Sequence, residues 1–64
     1  MRVNGVEMAL GDAGNLAAFL EREGYDPTRV AVEKNGDIVP KASFIEEPLS
    51  EGDRLEIVSF VGGG

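Results

Sequence analysis

Two Asn-Gly pairs, Asn4-Gly5 and Asn35-Gly36, constrain this chain more than any other feature. A two-residue turn between antiparallel strands needs positive φ at both central positions. Gly adopts that conformation freely and Asn tolerates it, whereas most side chains resist it. The first pair predicts a hairpin over residues 1–10, with Val3 facing Val6 across the strands. Period two then puts Met1, Val3, Val6, Met8 and Leu10 on one face, with Arg2, Asn4 and Glu7 on the other. The second pair joins a strand Val30–Lys34, with Val30 and Val32 toward the core, to a short strand Asp37–Val39. Pro40 stops that strand because it cannot donate to a ladder.

Between the hairpins the period changes. Leu16, Phe19 and Leu20 form one narrow apolar stripe at helical spacing. Asn15 is placed to cap the free N–H groups of the first turn. Gly24 suits the left-handed position after the last turn, and Pro27 blocks continuation. A helix of about two to three turns is marginal alone, so it must pack on a sheet. Residues 25–29 read as a loop. Residues 41–49 have no clean period and read as an irregular crossover, with Phe44, Ile45 and Leu49 as apolar plugs. Ser50-Glu51-Gly52-Asp53 turns the chain into a final strand, in which Leu55 and Ile57 suit the face under the helix. Val58 and Phe60 fall on the opposite parity and have no obvious core to enter. A hairpin, one helix and further strands make an α+β domain.

Composition bounds what such a domain can do. Sixty-four residues make one domain. A chain this short buries only about 60% of its unfolded surface. It has no Cys, no His and no Trp. Iron–sulfur clusters, Cys/His zinc sites, thiol catalysis and Ser-His-Asp chemistry are therefore excluded. The formal net charge is −6, with the six basic residues scattered. Phosphate contacts need clustered Lys and Arg, so nucleic acid is not an expected partner, whereas a basic patch on a protein is compatible. No apolar run approaches the roughly 18 residues of a membrane span, and no basic-then-apolar leader is present. A cytoplasmic location is the expectation. Glu46-Glu47 lacks a third ligand and reads as solvated surface rather than metal site. Asp12 and Asp53 read as turn residues.

The last strand runs without a loop into Val61-Gly62-Gly63-Gly64. Residues 61–64 are expected to be a flexible tail. Extended glycine passes through a channel too narrow for any side chain, so Gly62 and Gly63 suit a threading segment. A carboxylate at Gly64 would be a poor acyl donor but a competent nucleophile toward the α-phosphate of ATP. The resulting acyl-adenylate would be a good acyl donor. Val58, Phe60 and Val61 are candidate docking residues beside that tail, since an aromatic anchor is suited to fixing a partner. The chain itself has no phosphate loop and no catalytic dyad. It reads as a substrate protein, not an enzyme.

Several stretches together resemble the ThiS family of thiamine-pathway sulfur carriers, which have the ubiquitin-like β-grasp fold. They are Asn4-Gly5, the block Val32-Glu33-Lys34-Asn35-Gly36-Asp37-Ile38-Val39-Pro40-Lys41, the block Leu49-Ser50-Glu51-Gly52-Asp53-Arg54-Leu55-Glu56-Ile57-Val58, and the closing Ser59-Phe60-Val61-Gly62-Gly63-Gly64. The resemblance covers the whole chain. It implies a mixed sheet of about five strands with one helix packed across it, the last strand lying centrally and parallel to the first. It also implies that a ThiF-type, E1-like enzyme uses ATP to adenylate Gly64. Sulfur, ultimately from cysteine through a donor such as a cysteine desulfurase, then gives a thiocarboxylate, and a ThiG-type thiazole synthase takes that sulfur. No cofactor is expected on the chain itself. A carrier for molybdopterin or another sulfur pathway, a ubiquitin-like modifier and a binding module with an inert tail are the competing readings.

Overall fold

The computed structural model describes residues 1–60. The chain forms β1 (Arg2–Val3), β2 (Val6–Glu7), α1 (Leu16–Arg22), β3 (Val30–Lys34), β4 (Asp37–Val39) and β5 (Arg54–Ser59), with short 3-10 turns at Pro27–Arg29 and Lys41–Ser43. Both Asn-Gly turns form as expected. Asn4 and Gly5 have φ of 51° and 83°, and Asn35 and Gly36 have 54° and 90°.

The five strands lie in the order β2-β1-β5-β3-β4. β5 runs parallel to β1 and antiparallel to β3, so the last strand is central. The two hairpins have no strand pairing with each other. β5 alone joins them, and this is the β-grasp arrangement that the resemblance implied.

The helix is short because its signals are close together. The Asn15 side chain accepts the Ala18 N–H at 2.8 Å. At the other end, Gly24 N–H donates to the Glu21 carbonyl and Tyr25 N–H to the Leu20 carbonyl, the paired bonds of a glycine-closed C-terminus. Gly24 has φ of 84°, which a side chain would oppose. The apolar stripe is completely covered, since Leu16, Phe19 and Leu20 are each 0% exposed. Burying one such side chain is worth about 1.5–3 kcal/mol, so three of them supply the stability that a two-turn helix lacks alone.

The crossover has a role that its sequence does not announce. The Leu16 N–H donates to the Glu47 carbonyl at 2.9 Å, and the Ala17 N–H to the Phe44 carbonyl at 3.0 Å. With Asn15 serving Ala18, three otherwise unpaired donors of the first turn are satisfied. Phe44 and Leu49 plug the core from this segment. Ile45 does not: it is 69% exposed. The chain turns tightly from 43 to 47, with the Glu46 and Glu47 N–H groups both bonding the Ser43 carbonyl. That turn spends its inward position on Phe44 and leaves the next residue outside.

Val6 shows a related difference. It faces Val3 in register, which puts it on the helix-side face as predicted, yet it remains 61% exposed. β2 is an edge strand, and the cover supplied by α1 does not reach it. Val3, one strand further in, is buried.

Candidate functional site

β5 is held along its length from both sides. Leu55 and Ile57 enter the core, 0% and 6% exposed. On β3 the register runs from Lys34 opposite Leu55 to Val30 opposite Ser59. One further bond continues it, from the Phe60 N–H to the Arg29 carbonyl at 2.7 Å. Each Asn-Gly turn also grips this strand. The Asn4 side chain donates to the Ile57 carbonyl at 3.1 Å and accepts the Ile57 N–H at 2.7 Å. The Asn35 side chain accepts the Arg54 N–H and donates to Asp53 Oδ1, both at 3.0 Å. Residues chosen by sequence for turn geometry therefore also clamp the strand leading to the tail. Nothing in the sequence announces that second use, because it depends on which strand lies alongside.

The helix-free face of the sheet is bare. Ala31, Glu33, Ile38, Glu56 and Val58 are all exposed there. They surround a shallow apolar groove on β3, β4 and β5. Glu33 and Glu56 are direct cross-strand partners. Like charges so placed repel, and no hydrogen bond or ion pair relieves either among the described residues.

Val58 and Phe60, two of the three candidate docking residues, are 58% and 56% exposed. They sit on this bare face at the end where β5 leaves the sheet. Phe60 is not wholly unsupported, because Lys41 Nζ lies 5.8 Å from its ring centroid. Val61, Gly62, Gly63 and Gly64 lie outside the described residues.

Several other carboxylates have structural partners. Asp53 accepts from the Ser50 N–H at 2.8 Å and lies 3.8 Å from Lys34 Nζ. Burial pushes its carboxyl up, but the Asn35 and Ser50 hydrogen bonds and the Lys34 charge outweigh that and hold it below its ordinary 3.8. Asp26 accepts the Thr28 hydroxyl and N–H, and those bonds hold its carboxyl low. Glu47 pairs with Lys34 at 2.9 Å. Asp12 sits in the turn before the helix. Among the described residues no helix is long and apolar enough to cross a membrane.

Three comparisons bear on this site. A family model described as the ThiS family matches residues 1–64, the glycines included. The chain is 44% identical over 62 residues to a thiazole synthase of Paramagnetospirillum magneticum, covering 97% of this chain but only 19% of that relative's length. It is 38% identical over 53 residues to the sulfur carrier protein ThiS of Bacillus subtilis, covering 83% of this chain and 80% of that one. The crystal structure of a thiamine biosynthesis protein, ThiS, from Geobacter metallireducens superposes with a TM-score of 0.79 at 29% identity, covering 98% of this chain and 96% of that one.

Proposed function

The chain belongs to the ThiS family, and we propose that it is the sulfur carrier for formation of the thiamine thiazole. In this reading Gly64 bears the C-terminal carboxylate. A ThiF-type adenylating enzyme brings it against ATP. A carboxylate oxygen attacks the α-phosphorus, pyrophosphate leaves, and Gly64 becomes an acyl-adenylate. A donor persulfide derived from cysteine attacks the acyl carbon through its outer sulfur and AMP leaves, giving an acyl disulfide. A second thiol on the partner then cleaves the S–S bond, releasing the Gly64 thiocarboxylate and leaving a disulfide between the two thiols. A ThiG-type thiazole synthase then takes the sulfur. The chain works as a carrier in the cytoplasm, and its partners supply the catalysis and the ATP site.

The observation that carries this reading is the family match extending through Gly64, on a fold whose central strand ends immediately before the tail. The likeness to a segment of a thiazole synthase supports thiazole synthase as the acceptor over a molybdopterin pathway. Glycines at 62 and 63 let the tail enter a narrow active site. Val58 and Phe60 offer apolar surface beside it, suited to a docking contact that fixes the domain while residues 61–64 are inserted.

Intact mass of the protein purified from its native cell tests the reading. A gain equal to exchange of one oxygen for one sulfur, localised to Gly64, is the expected result. Higher-mass conjugates on other proteins would instead mark a modifier. An unmodified mass, with no loss of thiazole formation on deleting Gly63 and Gly64, overturns the carrier role.

A further inference from the structure

The register of β3 and β4 pairs Val32 with Val39 and Lys34 with Asp37. Carried on, it would set Val30 opposite Lys41. β4 stops short of that point, because after Pro40 the chain turns away through Lys41–Ser43 and carries the Lys41 backbone N–H out of the ladder. The Arg29 carbonyl faces β5, where it accepts the Phe60 N–H. Strand alternation turns the next carbonyl, that of Val30, to the β4 side. There Lys41 Nζ donates to it at 2.6 Å. The side-chain ammonium thus takes the place of the backbone donor that the end of β4 removed.

The same ammonium lies 5.8 Å from the Phe60 ring centroid, within the range at which an aromatic face attracts a cation. Val30 is the β3 residue directly opposite Ser59. One cation therefore ties the start of β3 to the first side chain beyond β5. A phenyl ring left 56% exposed at a strand end has several rotamers open to it, and contact with a fixed charge favours one. The charge is itself fixed, by its bond to the Val30 carbonyl.

We propose that Lys41 is a positioning residue that holds Phe60 in place for docking onto the adenylating enzyme. The first half concerns the chain alone; the second rests on the carrier reading above. Lys41 is exposed except at its tip, so it can be replaced without opening the core.

The test compares Lys41→Met, which keeps the stem without the charge, with Lys41→Arg, which keeps a cation. In the isolated chain, Lys41→Met is expected to speed exchange of the Phe60 amide about tenfold while Val32 keeps its protection. Lys41→Arg restores the Phe60 amide. With a ThiF-type enzyme and ATP, Lys41→Met is expected to raise KM for the carrier about fivefold at unchanged kcat, and Lys41→Arg to recover it. Unchanged Phe60 exchange in Lys41→Met overturns the proposal. Protection lost equally at Val32 overturns the first half as well, whereas faster exchange at Phe60 with an unchanged KM overturns the second half alone. A wild-type chain that is not adenylated at all overturns the carrier reading instead, and with it the second half; the exchange comparison then decides the first half.

Discussion

The side chain of Asn4 and the backbone of Ile57 form a closed pair, with Asn4 donating at 3.1 Å and accepting at 2.7 Å. The Asn4 amide substitutes for a peptide unit and prolongs the β1–β5 ladder past the point where β1 has turned away. Asn4→Ala removes both bonds and puts a Cβ-bearing residue with no compensating polar group at φ of 51°. We expect a loss of about 2–4 kcal/mol in urea unfolding. Asn4→Gly relieves the backbone but still lacks the clamp, and should lose about half as much.

Phe60→Asp should leave thermal unfolding almost unchanged, because the ring is 56% exposed and outside the core. On the carrier reading, it should weaken capture by a ThiF-type adenylating enzyme, read as a KM increase of about tenfold or more. Unaltered adenylation kinetics would remove Phe60 from the docking surface.

Asp53 is one of the carboxyls that make this fold less stable in acid. Its folded carboxyl lies below the unfolded value of 3.8. Its contribution is therefore complete above that pH and is lost as pH falls through the lower folded value. Asp53→Asn should flatten the decline of stability below about pH 4. Urea midpoints from pH 7 down to pH 2, for both proteins, check this.

Phe44 and Ile45 are neighbours with opposite fates, 4% and 69% exposed. Phe44→Ala should cost about 3–5 kcal/mol, enough to unfold a domain this small at ordinary temperature. Ile45→Ser should fall within about 0.5 kcal/mol of wild type. Circular dichroism melts distinguish the two.

These contrasts mark what the residues alone could tell. Turn chemistry at Asn4-Gly5 and Asn35-Gly36, the Asn15 cap, the Gly24 stop and the stripe of Leu16, Phe19 and Leu20 are local, and all were legible. So was the parity that leaves Val58 and Phe60 outside. Ile45 was misread because a tight turn without a period offers no rule for which of two adjacent apolar residues points inward. Val6 was assigned its proper face, but how far a two-turn helix extends its cover is a property of the packed molecule. The second roles of Asn4, Asn35 and Lys41 were hidden because each depends on a strand distant in sequence.

The position of β5 also has a mechanical meaning. A partner that pulls on residues 61–64 pulls along the keystone of the sheet, which β1 flanks on one side and β3 on the other. The load falls in shear across both ladders, so many bonds must yield together rather than open one by one like a zip. On the carrier reading proposed above, such a domain would withstand having its end drawn into a partner's active site, and later withdrawn, without coming undone.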